Sequence, residues 1–141
     1  MIVACDGSAD SGYIFDDLGE AIRKCYVDFG IEIEINVEKI VPDPKTGRSA
    51  LHYAVGEIHY ERALDPSPTG QLVYIKASVT PDLPTDLRHY KSEHPDFPHE
   101  STADQWFDET QFESYRKLGY RAAMDSIGDM KKLGTLPGEL A

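Results

Sequence analysis

The chain has 141 residues, a net charge of −11 at pH 7 and two cysteines. This length corresponds to one domain that can bury an extensive core. The acidic balance argues against nucleic acid as a partner, because nucleic-acid binders need a basic surface. No stretch approaches the roughly 18 consecutive apolar residues of a membrane span. We therefore expect a soluble, cytoplasmic chain with no transmembrane segment.

The first third of the chain predicts a strand, a helix and a second strand. The apolar run 2–5 is typical of a strand buried on both faces of a sheet, and we expect neighbouring strands of a larger sheet to be missing here. Apolar residues in 15–29 then recur at steps of three and four, which predicts a helix that Gly30 ends. Apolar and acidic residues alternate from 31 to 38, which predicts a strand with one solvated face. The predicted buried face of the helix consists of Phe15, Leu18, Ile22, Cys25 and Phe29.

The middle of the chain reads as two further strands, at 51–62 and 71–78, joined by a Pro-rich loop at 65–70. Two strands separated by a short turn-rich loop form an antiparallel hairpin. The apolar phase of the first of them shifts around Gly56, which predicts a bulge.

Helices are predicted for the rest of the chain. Thr85 is expected to cap a short helix through Glu93. The segment 102–105 has the form of a capping box, opening a helical region that runs, with a break near Asp108, to about residue 133. Residues 134–141 are expected to be a frayed tail.

These elements define one mixed α/β domain over residues 1–141. Its order is an N-terminal strand and helix, an antiparallel strand meander and C-terminal helices, with one layer of helix against the sheet. Such a pattern does not specify a function by itself.

Three segments carry a resemblance to a known family: 97–116, which contains Phe-Pro-His-Glu-Ser-Thr-Ala-Asp-Gln-Trp-Phe, and the shorter segments 16–24 and 28–33. Together they resemble the C-terminal part of a bacterial group of patatin-like phospholipase domain proteins, over most of the chain as far as Leu118. The resemblance implies a partial patatin-like α/β layer. For full-length relatives it implies lipid ester hydrolysis by a Ser–Asp dyad with a Gly-rich oxyanion segment and no cofactor.

The catalytic residues that the resemblance implies have no counterpart in this chain. A patatin-like hydrolase places its Ser on a G-x-S-x-G elbow, and no such motif is present. The nearest segment carries Ser49, but Leu51 replaces the second glycine. Asp6 begins an Asp-Gly-Ser turn that resembles an element found after the catalytic D-G-G motif of the family. Asp6 is therefore a weak catalytic candidate, because the chain has no nucleophile for it to activate.

A calcium site is an alternative interpretation of the loop after the first strand. Asp6, Ser8, Asp10 and Asp17 fall at positions one, three, five and twelve of an EF-hand-like spacing, and oxygen ligands so spaced suit Ca²⁺. However, Ser11 holds the position that needs glycine, and the preceding run is too short to be the entering helix. The spacing therefore favours a structural turn and a helix N-cap, with calcium kept as the alternative.

Histidines and aromatic residues recur near the signature. His89, His94 and His99 are spaced by five residues, which matches no zinc pair and favours hydrogen-bonding groups at loops and helix ends. His99 lies inside the signature. The aromatic residues favour a core or docking face over a lipid site. They are Trp106, Phe107, Phe112, Tyr115 and Tyr120.

The leading hypothesis is a C-terminal region of a patatin-like lipid acyl hydrolase that is not catalytic alone. Its partner would be an upstream patatin-like fragment, through which the chain could also associate with a membrane, or a second copy of itself. A second hypothesis is a stand-alone interaction module or partner subunit that completes a separately encoded hydrolase. A third is an acidic domain stabilised by Ca²⁺.

Overall fold

A mixed sheet with helices forms the part of the chain that the computed structural model describes, namely residues 1–60, 69–101, 103 and 106–132. The mixed α/β class is therefore confirmed. Most of the predicted loop at 65–70, the capping box at 102–105 and the tail at 134–141 lie outside the described residues. The elements are β1 (Ile2–Asp6), α1 (Asp16–Phe29), β2 (Glu32–Ile35), β3 (Tyr53–His59), β4 (Gly70–Lys76), α2 (Thr85–Glu93) and α3 (Glu109–Lys132).

The described strands form one sheet in the order β1-β4-β3-β2. The predicted meander is confirmed, because β2 pairs antiparallel with β3 and β3 pairs antiparallel with β4. β1 joins β4 in parallel, with Asp6 opposite Lys76. β1 thus lies at one edge of this sheet, and the larger sheet in which it would be central stays a prediction.

Helices cover both faces of the sheet, so the expectation of a single helical layer is wrong. Alternate residues of β4 point to opposite faces. Leu72 and Tyr74 join the core cluster that contains Leu18 of α1. Val73 packs in a second cluster, with Ala122 of α3. The sheet is therefore the middle layer between α1 and α3.

The predicted helix α1 is confirmed, and Gly30 ends it. Gly30 adopts a left-handed conformation with φ of 66°, and the amides of Gly30 and Ile31 bond to carbonyls of the last turn, which is a Schellman arrangement. The predicted buried face fails at its end, because Phe29 is 65% exposed. The residues of this face that join the core cluster are Phe15, Leu18 and Ile22, so the last turn of α1 lies outside that cluster.

The caps of α2 and α3 differ from the expected ones. Thr85 is the first residue of α2 rather than its cap; Pro84 precedes it without a side-chain hydrogen bond. α3 begins just after Asp108, whose carboxylate accepts a hydrogen bond of 2.7 Å from the Gln111 amide. No described residue before Asp108 is helical back to 101, so the helix expected on the other side of a break there stays a prediction. Cys5, expected to be buried, is exposed, because β1 has no neighbour on its outer side among the described strands.

No bulge interrupts β3, because Val55, Gly56 and Glu57 pair in continuous register with β4. The glycine is required for another reason. A Cβ atom built on Gly56 would lie 2.6 Å from the Glu34 carbonyl oxygen and 2.7 Å from the Ile35 Cβ. Gly56 therefore permits the close approach of β2 to β3.

We predict that Gly56→Ala lowers the free energy of unfolding by about 1 to 3 kcal/mol, the usual cost of overpacking, because the new methyl group meets backbone that cannot move aside. Urea unfolding followed by circular dichroism measures this. Gly119→Ala on α3, where nothing lies within 4 Å of an added Cβ, is the control and should be neutral or stabilising. Equal effects of the two substitutions would contradict the explanation.

Candidate functional site

A buried ion pair joins the carboxyl ends of the parallel strands β1 and β4. Lys76 is fully buried, and its Nζ donates to Asp6 Oδ2 at 2.8 Å and lies 3.7 Å from Asp10 Oδ2. The carboxyl ends of parallel strands are the usual position of ligand sites in α/β sheets. This cluster, with the loop 6–15 that follows β1, is the candidate site, which we call the Lys76 cluster.

Asp6 stabilises this cluster through its charge and its hydrogen bonds and is not suited to act as a general base. Its Oδ1 accepts bonds from the Ser8 amide at 2.8 Å and the Ser8 hydroxyl at 2.6 Å, and its Oδ2 also accepts from the Tyr74 hydroxyl. Burial alone would raise the pKa of the Asp6 carboxyl, but the hydrogen bonds from Lys76, Ser8 and Tyr74 together hold it well below its usual range. A carboxylate stabilised so strongly in its charged form is a poor general base.

Asp10 holds the loop in a strained conformation. Its two carboxylate oxygens each accept a backbone amide at 3.0 Å, one from Ile14 and one from Phe15. Tyr13 and Phe15 both have positive φ, at 48° and 55°. The left-handed conformation costs a non-glycine residue about 1 to 2 kcal/mol. Two such residues in one loop therefore require the external restraint that Asp10 provides.

Three residues considered from the sequence, Asp6, Ser49 and His99, meet around this loop. The Asp10 amide donates to His99 Nδ1 at 3.3 Å, and the Tyr13 ring packs edge-to-face on His99 with centroids 4.8 Å apart. Burial raises the pKa of the Tyr13 phenol, and the neighbouring Ser49 hydroxyl opposes this rise. The loop after β1 thus contacts both the segment before β3 and the signature.

The meeting of these residues does not make a nucleophilic triad. Ser49 is only 1% exposed, so its hydroxyl cannot reach a substrate. His99 Nδ1 is engaged by the Asp10 backbone amide at 3.3 Å, so this nitrogen is not available as a base for Ser49. Burial, and then the charge of Lys76, lower the pKa of His99, so the ring is neutral at pH 7.

The residues of the calcium alternative are committed to other partners. The Lys76 ammonium lies between the Asp6 and Asp10 carboxylates, where a cation would have to sit, and the Ser8 hydroxyl donates to Asp6. Asp17 lies in the first turn of α1. Over the residues that the structure describes, no three His, Cys, Asp or Glu side chains are grouped to hold a metal ion. The structural turn accounts for Asp6, Ser8 and Asp10, whereas the expected helix N-cap is wrong, because α1 follows Phe15 without a side-chain cap bond.

His52 forms a second buried network that sequence analysis did not single out. Its ring is 2% exposed, with Nδ1 3.0 Å from the Ser78 hydroxyl and Nε2 3.2 Å from the Thr80 hydroxyl. Thr80 in turn donates to Asp82 at 2.7 Å. Burial lowers the pKa of His52, and the charges of Asp125 and Asp82 only partly oppose it. Both ring nitrogens have partners, so His52 is a structural group in its neutral form.

The family-like signature connects α2 to α3. Phe97 is fully buried and packs edge-to-face against Tyr90 of α2 and Tyr115 of α3, with centroids 5.1 and 5.0 Å apart. Glu100 accepts hydrogen bonds of 3.3 Å from the Tyr90 hydroxyl and from Gln111. This part of the signature is therefore structural.

The structure agrees with the prediction for the flanking histidines but not with the core role predicted for most of the aromatic residues. His94 stacks on Tyr90 at the end of α2, and His89 pairs with Glu93, as expected for helix-end groups. Of the aromatic residues, only Tyr115 packs in a core cluster. The others are exposed, so a core role is wrong for Trp106, Phe107, Phe112 and Tyr120.

Comparisons with protein-family models, with curated proteins and with solved structures find no match for this chain. The patatin-like resemblance thus stays a prediction that rests on the sequence segments alone. In the described part of the chain, no helix has the length and apolar character needed to cross a membrane.

The ion pair between Lys76 and Asp6 gives a prediction on stability. Lys76→Met should lower the free energy of unfolding by about 3 to 5 kcal/mol, because it leaves the Asp6 carboxylate buried without its cation. Adding Asp6→Asn should restore part of the loss, so that the double variant is more stable than Lys76→Met alone. Chemical denaturation of the four proteins measures the coupling. Additive effects would show that the pair is not coupled.

The His52 network gives a prediction on pH. Because the pKa of folded His52 lies below its unfolded value of about 6.5, the unfolded state binds more protons below that pH, and stability falls as the pH decreases. His52→Gln should reduce the loss of thermal stability between pH 7 and pH 5. His89→Gln, which removes an exposed histidine, should leave the loss unchanged. An unchanged pH dependence in His52→Gln would contradict this account.

Proposed function

We propose that this chain is the C-terminal region of a patatin-like lipid acyl hydrolase and that it completes a nucleophile-bearing part by pairing through the outer edge of β1. The chain alone is not a catalyst. The observation that carries the proposal is the chemistry of this edge: β1 is uncharged as far as Asp6 and has no described strand on its outer side.

The two edge strands of the sheet, β1 and β2, differ in the charge of their exposed side chains. Proteins protect an exposed edge strand with charged side chains, because its free amides and carbonyls otherwise recruit another strand. The β2 edge has this protection, with Glu32 and Glu34 exposed, as the sequence analysis expected. β1 lacks it: Ile2 and Val3, which point to opposite faces, are 51% and 49% exposed.

The exposure of both faces of β1 indicates the kind of neighbour that it needs. A parallel strand with apolar residues on both faces is normally covered by helices on each side. β1 is parallel to β4, and the described elements leave its apolar side chains at Ile2 and Val3 about half exposed. A partner that adds a strand and its flanking helices would bury both residues. This is the neighbourhood that an α/β hydrolase sheet supplies.

The partner must also supply the chemistry. No G-x-S-x-G elbow is present in the 141 residues, Ser49 is buried, and Asp6 is held by Lys76. In the reaction that the resemblance implies, the aspartate takes the proton of the serine hydroxyl, which attacks the ester carbonyl; the C–O bond to the alcohol breaks, the alcohol leaves with that proton, and water then hydrolyses the acyl-enzyme to the free acid. Both the serine and the aspartate that activates it would come from the nucleophile-bearing part. This chain would contribute strands to the shared sheet and would make the complex more rigid.

The first test is for activity in the isolated chain. Because its only serine close to an elbow-like sequence is buried, purified protein should hydrolyse p-nitrophenyl acyl esters no faster than buffer does. Turnover that is abolished by Ser49→Ala or Asp6→Ala would overturn the proposal, since the chain would then carry its own catalytic residues.

The second test is for completion. The coding sequence upstream is inspected for G-x-S-x-G and D-G-G motifs, and the polypeptide that it encodes is mixed with this chain. We expect a complex by size-exclusion chromatography and ester hydrolysis above that of either part. Val3→Lys should abolish both, whereas Glu34→Lys, a charge change on the β2 edge, should not. Complex formation that resists Val3→Lys would exclude the β1 edge, and a complex of two identical chains would favour self-association instead.

A further inference from the structure

A groove between α2 and the start of α3 has no role in the proposed function. It encloses about 750 Å³, with Tyr90 of α2 and Phe112 of α3 among its lining residues. Of the described residues that line it, none is a lysine or an arginine. The carboxylates in its lining are Asp86, Glu93, Glu109 and Glu113.

The charges of this groove are held only by exposed pairs. Asp86 pairs with Lys117 at 2.6 Å, and Glu113 pairs with Arg116 at 2.6 Å. The carboxylate side chains of both pairs are more than half exposed. Exposed pairs of this kind contribute little to stability, so an incoming cation can compete for the same carboxylates at little cost.

One exposed aromatic residue lines the groove, and two more precede α3 in sequence. Phe112 in its lining is 62% exposed, and Phe107 and Trp106, just before α3, are 55% and 91% exposed. Large aromatic side chains at the surface mark interaction sites more often than isolated aliphatic ones do. Aromatic faces beside carboxylates suit the ammonium and guanidinium groups of lysine and arginine, whose apolar stems can also pack on the rings.

We propose that this groove docks an amphipathic helix of a partner protein, with lysine or arginine side chains toward the carboxylates and an apolar residue against Phe112. Two helices that border a groove are a common receptor for a third helix. Charge complementarity determines the character of that helix: the lining carries four carboxylates, and the chain as a whole has a net charge of −11, which attracts a basic partner.

Trp106 allows a direct test, because it is the only tryptophan of the chain and lies next to the groove in sequence. The probe is a short synthetic peptide of leucine and lysine, patterned as an amphipathic helix and free of tryptophan. We expect saturable binding, a shift of Trp106 emission and a loss of affinity at high salt. A peptide with glutamate in place of lysine is the matched control and should not bind.

Paired variants separate the groove from the general acidity of the protein. Glu93→Gln/Glu109→Gln should weaken peptide binding by about tenfold, which is 1.4 kcal/mol. Glu32→Gln/Glu34→Gln removes the same charge from the wet face of β2 and should leave binding unchanged. Phe112→Ser should weaken binding, and Tyr120→Ser, an exposed aromatic of α3 outside the groove lining, should not.

Four results would overturn the proposal: equal weakening by the two glutamine variants, wild-type affinity in Phe112→Ser, binding without a change of Trp106 emission, or no binding. A shift of Trp106 emission with phosphatidylcholine vesicles but not with the leucine–lysine peptide would also overturn it and assign the aromatic residues to a membrane surface. All the substituted side chains are exposed, so the variants should fold, and circular dichroism verifies this.

Discussion

The fold depends on one electrostatic constraint, the burial of the Lys76 ammonium between two carboxylates. An ammonium group moved from water into a protein interior costs several kcal/mol unless it is paired and hydrogen-bonded. Asp6 can serve as the partner only when β1 lies parallel to β4 with Asp6 opposite Lys76. A slip of one residue would turn Asp6 to the other face of the sheet and leave Lys76 without it. The pair therefore determines the register of β1, which the apolar residues of this strand do not specify.

Contacts of Asp10 connect the Lys76 ion pair in the sheet to the signature segment. Asp10 approaches Lys76 with one oxygen, and its carboxylate holds the amides that fix the left-handed residues before α1. The amide of Asp10 binds His99, and the Tyr13 ring covers the same imidazole. Segments that are distant in sequence are thus joined by polar contacts around one cation. Of the residues that meet here, His99 belongs to the signature, and its contacts with Asp10 and Tyr13 help to restrain the loop that carries the left-handed residues.

Local patterns predicted much of this fold, and long-range contacts account for what they missed. The period of α1, its stop at Gly30 and the β2-β3-β4 meander depend on neighbours in sequence, and the structure confirms them. The partners of Lys76 and His52 lie 70 and 26 residues away, so no spacing rule identifies them. The apolar pattern around Gly56 predicted a bulge, because a sequence does not show that the backbone of another strand lies close to this glycine.

The candidate site was predicted in part, and for a physical reason. Asp6, Ser8, Asp10 and Asp17 were recognised as a group because they lie close in sequence, but the cation that Asp6 and Asp10 hold comes from β4 and is a lysine. The exposed aromatic residues were misjudged because helical spacing predicts that residues share a face, not that another element covers this face.

Docking at the β1 edge, as proposed, would not require further desolvation of the Lys76 cluster. The Asp6 side chain is already only 13% exposed, and its oxygens accept bonds from Lys76, Ser8 and Tyr74. A partner strand beside β1 would therefore remove little further water from the ion pair, so the desolvation cost is met when the chain itself folds rather than when the partner binds. What remains exposed on β1 is uncharged, namely Ile2, Val3 and Cys5. Burial of these side chains favours association at about 25 cal/mol per Å² of apolar surface, without a charged group to desolvate at the same step.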